Sequence, residues 1–328
     1  MGKKDVEEKE YFNDVLHFAD TCNGIMFGGA SVILPEELEE ANTELIYPDQ
    51  KTTLTVRQDG IHYWRKQNVN IALIALEYQS VSDYHMVFRN MMAESLAYYK
   101  QWKKNKRHYS KEYKKWFDKL FCLRNSKEFL SGMVKEDQFV PVIIIVINFG
   151  LEKWDGATTL HEMLKLPSEL ERYVNNYKLN LFDYNDYEDF SIFKTEVRVI
   201  FEALKTAGNE EKMNSIFSRI KKIEIETARL LETLLNIEFP KKLIIKETDG
   251  KEYIEVCKAW DDHWKSGERA GIVIGEERGI EKGIEKGIEV FVKDKILDGV
   301  DESIIVKKLV FFYQVSDEKA KGYVEKYR

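Results

Sequence analysis

Asp59 and Glu77, eighteen residues apart, are the two side chains whose type and setting could do chemistry. Glu77 closes the run Ile71-Ala72-Leu73-Ile74-Ala75-Leu76-Glu77-Tyr78-Gln79, whose apolar composition predicts a buried strand. Side chains alternate along a strand, so Glu77 and Gln79 share one face and Tyr78 takes the other. A carboxylate at the end of a buried strand is costly unless a partner compensates it, and a divalent cation is one such partner. With Asp59 on a neighbouring hairpin strand, the set Asp…Glu-x-Gln could hold Mg²⁺ or Mn²⁺ against a phosphodiester. The competing possibility for Glu77 is a strand-end acid that faces solvent or caps a neighbour.

The rest of the chain limits what such a site could serve. The 328 residues are 44% hydrophobic with 18 Phe, 17 Tyr and 6 Trp, enough for a sizeable core in one large or two modest domains. Cys22, Cys122 and Cys257 lie far apart without a CxxC pair, which argues against disulfides or a cysteine zinc site and for a reducing, cytoplasmic setting. The N-terminus lacks the apolar core of a signal peptide. The longest apolar run, Phe139 to Phe149, is too short to span a bilayer, so no membrane role is expected.

A net charge of −7 gives no general attraction for nucleic acid, so any basic footprint must be local. Lys100 to Lys119 holds nine Lys/Arg, including Lys103, Lys104, Lys106 and Arg107, interleaved with Trp102, Tyr109, Tyr113, Trp116 and Phe117. The segment could track a phosphate backbone and stack on bases, or be a solvated helix with its aromatics turned inward.

Along the chain, residues 9–30 read as one helix and 159–167 and 188–240 as mainly helical. Thr52 to Trp64 reads as strand, turn at Asp59-Gly60 and return. Asp83 to Lys104 reads as a long helix with Met86, Val87, Met91, Leu96 and Tyr99 core-facing. The β-branched run Val140 to Phe149 predicts a strand buried on both faces in a mixed sheet covered by helices. Past this α/β body, Gly267, Gly271, Gly275, Gly279, Gly283 and Gly287 recur every four residues among Ile-Glu-Lys repeats. On a helix they form a ridge suited to close packing of a second helix, favouring a homo-oligomer through residues 267–289 over a flexible linker. Two or three short helices follow, with Asp301 and Ser316 as N-caps and Gly299 as a break. The expected division is a first domain over 1–250 and a helical tail over 251–328.

Several blocks together resemble a known bacterial family, the recombination-promoting nucleases, also called PD-(D/E)XK nuclease family transposases. They are His17-Phe18-Ala19-Asp20 with Asn23-Gly24, Pro35-Glu36-Glu37-Leu38, Asp59 through Trp64, Leu76 through Ser80, Arg89 to Tyr98, Pro141 to Gly150, Trp154-Asp155-Gly156 and Leu160 to Leu164, with the Gly-Ile-Glu-Lys tail. The resemblance implies a restriction-endonuclease-like core, a central mixed sheet flanked by helices with a metal site on a β-hairpin. It implies that Asp59 and Glu77 bind the metal, that the backbone carbonyl of Tyr78 adds a ligand, and that Gln79 stands at the usual lysine position. Against the family pattern, Gln58 stands where Arg usually precedes the aspartate, with Arg57 one further back, and His62 stands where a basic residue commonly follows it by three. Gln79 in place of lysine is frequent in the family but removes a charge that would orient water or stabilise the transition state.

The resemblance implies Mg²⁺-dependent hydrolysis of DNA in the service of recombination or mobile elements. On the first helix Asp20, preferred over Asp14, is the candidate to extend the metal shell, with a plain helix-end role as its alternative. Arg89 is the candidate phosphate contact, or else the partner of a nearby acid. The rival function is a nuclease-fold protein without useful turnover that acts as a DNA-binding or oligomeric interaction module.

Overall fold

A computed structural model describes residues 3–41, 44–48, 53–117, 126–240, 243–247 and 250–327. The chain divides into two compact units, Met1–Trp260 and Asp261–Arg328. In order, the elements are α1 (Lys3–Asn13), α2 (Val15–Phe27), β1 (Leu38–Glu40), β2 (Glu44–Pro48), β3 (Thr53–Arg57), β4 (Gly60–Lys66), β5 (Val69–Gln79), α3 (Met86–Phe117), α4 (Ser126–Ser131), β6 (Val142–Asn148) and β7 (Asn180–Asp183). Then come α5 (Val197–Lys205), α6 (Glu210–Arg219), β8 (Ile223–Glu224), α7 (Ile225–Leu235), β9 (Ile244–Lys246), β10 (Glu252–Ile254), α8 (Val256–Leu297), α9 (Glu302–Tyr313) and α10 (Asp317–Tyr327).

The first unit is built on a five-stranded mixed sheet in the order β1-β4-β5-β6-β7. β1, β4 and β5 run antiparallel to their neighbours, whereas β5, β6 and β7 are parallel. β5 makes the long apolar run legible: Ala72 to Tyr78 are all buried. Its even positions Ala72, Ile74, Leu76 and Tyr78 enter the main core with Phe12, Phe18, Phe149 and Phe201 of α5. Its odd positions Leu73 and Ala75 meet Ala93 and Ala97 of α3. Glu77 continues that second face, so the pleat aims it toward α3. Pro141 sits just before β6, where its missing N–H costs nothing, and its carbonyl accepts from Leu73 N at 2.8 Å.

Several expectations change. The stretch 9–30 is two helices, because Asp14 breaks the first and caps the second by accepting from Leu16 N and His17 N. Val15 and Leu16, at the start of α2, are exposed. The turn placed at Asp59-Gly60 is not a hairpin turn. β3 pairs with β2 in a separate two-stranded sheet, and β4 pairs with β5. The hairpin reverses at Gln67-Asn68, both with positive φ (50° and 65°), a backbone that Asn tolerates well. Residues 159–167 hold only the 3-10 turn His161–Met163, ended where Leu164 becomes extended. On α3, the small residues Ala93 and Ala97 face the sheet and let the helix approach it, while Met91, Leu96 and Tyr99 are only half-buried.

The second unit is helical. Ile288, Val292, Ile305, Leu309, Ala320 and Val324 form its core. Asp301 caps α9 through Ser303 N at 2.8 Å, and Gly299 breaks the chain at φ 72°. A Cβ on Gly279 or Gly283 would meet nothing within 4 Å, whereas one on Gly287 would meet the Tyr313 hydroxyl at 3.4 Å. Ile280 and Ile284 are exposed and Ile288 is fully buried. Among the described residues no helix is long and apolar enough to cross a membrane.

Candidate active site

The hairpin and two helix starts converge on a pocket of about 200 Å³ lined by Asp5, Glu8, Lys9, Asp59, Tyr78, Gln79 and Arg89. Asp59 lies immediately before β4, where Gly60 pairs with Leu76. One carboxylate oxygen, Oδ2, accepts from Tyr78 N at 2.9 Å. The other, Oδ1, is 2.8 Å from Lys9 Nζ on α1. Asn13 Nδ2 donates to the Asp59 carbonyl at 3.5 Å. Gly60 is required here, since a Cβ would run into the Asn13 amide oxygen and approach the Tyr78 hydroxyl to 3.1 Å.

Glu77 is completely buried, and its Oε2 is 2.6 Å from Arg89 Nη2, one turn into α3. Arg89 also reaches Asp83 Oδ2 at 3.3 Å. Glu77 Oε1 has no hydrogen-bond partner, and neither does Oε1 of Glu8, which is 2% exposed. Burial, followed by the negative charge of Asp59, pushes the Glu77 carboxyl up to about 8 against the pull of Arg89. Burial likewise raises Glu8 to about 7, with Lys4 opposing. The ion-pair geometry taken alone would make Glu77 an anion. Desolvation of a fully buried acid outweighs one arginine that is itself shared with Asp83, so Glu77 carries a proton at neutral pH.

The fit of a divalent cation can be judged on these atoms. Carboxylate oxygens are the donors that Mg²⁺ and Mn²⁺ prefer; the buried Glu77 Oε1 has no hydrogen-bond partner, while Glu8 Oε1 faces Lys4 Nζ at 3.9 Å. However, among the described residues no group of three or more His, Cys, Asp or Glu is placed to hold a metal ion. Instead, Lys9 pairs with Asp59 and Arg89 contacts Glu77 Oε2. The donor chemistry fits; the ligand cluster is not assembled.

The remaining candidates fall at several places. Gln79 lines the pocket beside Tyr78. Asp20 does not line it. Its two oxygens accept from Lys194 N (2.8 and 2.9 Å), Thr195 N (2.7 Å) and Thr195 Oγ1 (2.7 Å), which tie α2 to the segment leading into α5. Asp20→Ala therefore removes a structural clamp and leaves buried amides unpaired, at a cost of about 2–4 kcal/mol. Thermal melting should register that loss while metal binding by the folded protein is unchanged. Asp14, the rejected alternative, caps α2.

His62 is 2% exposed, packs on the Phe18 ring at 4.2 Å and is held below its usual range by burial. Lys103 and Lys106 lie over the rings of Tyr99 and Trp102 at 5.3 and 4.8 Å, so the α3 aromatics carry their own cations. Lys104 is exposed, and the Arg107 side chain lies outside the described residues. Lys103 is fourteen residues beyond Arg89, about 21 Å along the helix, too far to act at the pocket.

Glu8 and Lys9 are the site residues missed in the sequence. Their signal was helical register: with Phe12 in the core, Glu8 and Lys9 lie four and three residues earlier on the same side, and Asp5 one turn before them.

The mixed sheet thus brings two acids, Asp59 and Glu77, and two cations, Lys9 and Arg89, together at the end of β5. Residues 121–232 match the model of a family described as putative transposase, YhgA-like, which is the PD-(D/E)XK nuclease-like transposase family that the sequence resembles. The matched segment contains β6, whose parallel pairing sets Val146 beside Glu77 and Asn148 beside Gln79, but it stops short of Asp59 and Glu77 themselves. No curated protein and no solved structure matches the chain.

Proposed function

We propose that this protein is a metal-dependent DNA endonuclease of a mobile-element or recombination-promoting type. Asp59 and Glu77 hold Mg²⁺ or Mn²⁺, with the Tyr78 carbonyl available as a further ligand in a restriction-endonuclease-like core. The observation that carries the reading is the buried Glu77 Oε1, which has no hydrogen-bond partner, on the strand that places Tyr78 and Gln79 in the pocket with Asp59, Glu8, Lys9 and Arg89. Bound there, the ion would supply Lewis acidity toward a phosphate oxygen and its bound water. The residues of the chain do the remaining work. Arg89 would offer a planar guanidinium to a phosphate, and Tyr78 N–H keeps Asp59 oriented. The basic stretch from Lys103 to Arg107 tracks the backbone at a distance from the chemistry.

Self-association through residues 267–289 belongs to the same proposal. The uncovered glycines at 279 and 283 and the exposed Ile280 and Ile284 support it, because a second helix could approach closely there.

The test is cleavage of supercoiled plasmid and of a single-stranded oligonucleotide with Mg²⁺ or Mn²⁺. Wild-type protein is expected to nick, and Asp59→Ala and Glu77→Ala to fall to background. The second reading, a DNA-binding module without turnover, is favoured by the way Lys9 and Arg89 already satisfy both acids. It would be correct if folded wild-type protein retains DNA and nicks neither substrate.

A further inference from the structure

The sequence leaves the site short of one positive charge, because Gln79 cannot act as an ammonium. We propose that Lys9, reaching in from α1, supplies that charge and meets the scissile phosphate. This inference rests on the nuclease reading of the same pocket.

Three observations carry it. Lys9 Nζ stands 2.8 Å from Asp59 Oδ1, in the pocket that Gln79 also lines. Arg89, the other cation there, is shared between Glu77 and Asp83 and has less freedom to serve a substrate. The backbone that carries Lys9 is fixed. Phe12 is fully buried against Tyr78 and Phe149, with ring centres 5.4 Å apart in both cases, and Asn13 donates to the Asp59 carbonyl. The Lys9 side chain itself keeps 24% exposure. A fixed helix thus presents a flexible four-carbon stem with a compact charge.

The role follows from where charge develops. In hydrolysis, water adds to phosphorus and the bond from phosphorus to the leaving sugar oxygen breaks. The water's proton passes to solvent, the leaving sugar oxygen takes a proton from solvent, and negative charge accumulates on the non-bridging oxygens. Lys9 acts by charge, turning from Asp59 to a phosphate oxygen. In the free protein the same ammonium neutralises Asp59, whose second oxygen is already committed to Tyr78 N.

The experiment uses the full chain, supercoiled plasmid and Mn²⁺, with Mn²⁺ affinity measured separately by calorimetry. Lys9→Met is expected to slow nicking by about 100-fold or more while binding Mn²⁺ at least as tightly as wild type, since a competing cation has gone. Lys9→Arg should keep part of the rate. Placing the ammonium on β5 instead, in the double variant Lys9→Met with Gln79→Lys, should recover at least about tenfold of the loss. Wild-type rates in Lys9→Met would overturn the proposal and leave the nuclease reading standing. So would Mn²⁺ binding lost in Lys9→Met, which would make the lysine a support for Asp59, or a double variant that recovers nothing. A wild-type protein that never nicks removes the nuclease reading and this inference with it.

Discussion

Glu77→Gln should abolish metal-dependent nicking and, in the absence of metal, make the protein more stable at pH 8 than the wild type. Both effects have one origin. Glu77 is fully buried, and burial reinforced by Asp59 raises its carboxyl to about 8. In the unfolded chain it titrates near 4.5. Below 4.5 both states hold the proton and the residue costs nothing. Between 4.5 and 8 the unfolded chain releases its proton while the folded protein retains it, so stability falls as pH rises through that window and levels off above it. The full displacement corresponds at most to about 5 kcal/mol. Glu8, raised to about 7, adds a loss of the same sign that is complete by about pH 7.

A glutamine at position 77 does not titrate, so denaturant or thermal melts of the variant and the wild type should diverge steadily from pH 5 to pH 8. Metal reverses the sign. A cation binds the ionised carboxylates, so its affinity in the wild type should climb toward pH 8 with proton release, and calorimetry in buffers of different ionisation enthalpy reads that release directly. The variant should show neither the climb nor the release. A Glu77→Gln protein that melts lower than wild type at pH 8 would mean that the ion pair with Arg89 dominates and Glu77 is an anion before metal arrives.

The parts of this molecule that could be read in the sequence are those fixed by local pattern. The alternation at Glu77, Tyr78 and Gln79 follows from strand geometry, and the structure puts Glu77 against α3 and Tyr78 in the opposite core. The β-branched run before Asn148 is a buried strand of the mixed sheet for the same reason. Asp301 and Gly299 bound α9 as their conformational preferences dictate.

What escaped depends on partners distant in the chain. Asp20 is an acid on an early helix by any local criterion. Only the return of the chain at Lys194 and Thr195 turns it into a clamp rather than a ligand. Asp14 interrupts an otherwise continuous apolar pattern because its side chain offers the backbone a cap. Lys9 and Glu8 reach the site only because Phe12 docks α1 against β5, a contact spanning more than sixty residues of sequence. A lysine beside a carboxylate in sequence carries no information about which of the 57 acids it will face.

Phe201→Ala should be the most damaging single truncation in the first unit, and its effect should reach the site. Phe201 is fully buried on α5, with ring centres 5.0 Å from Phe182, 5.1 Å from Phe193, 5.8 Å from Phe149 and 5.9 Å from Phe190. Emptying that position removes packing from several rings at once, and rings held on helices and strands cannot all collapse inward. The expected cost is about 3–5 kcal/mol, or a melting temperature lower by roughly 6–20 °C for a unit of this size. Phe149 is the route to the pocket. It stacks on Phe201, packs on Phe12 and lies 6.0 Å from Tyr78, whose N–H holds Asp59. Phe217→Ala is the matched control: the ring is equally buried, but it packs on Phe239 and Trp260, away from β5. Both variants should melt early. Only Phe201→Ala should also loosen α1 and so weaken metal binding per folded molecule, because the same rings seat Lys9 and Glu8. Equal metal affinity in the two variants, measured well below both transitions, would show that the site is held by the hairpin alone and that α1 contributes its side chains without help from the core.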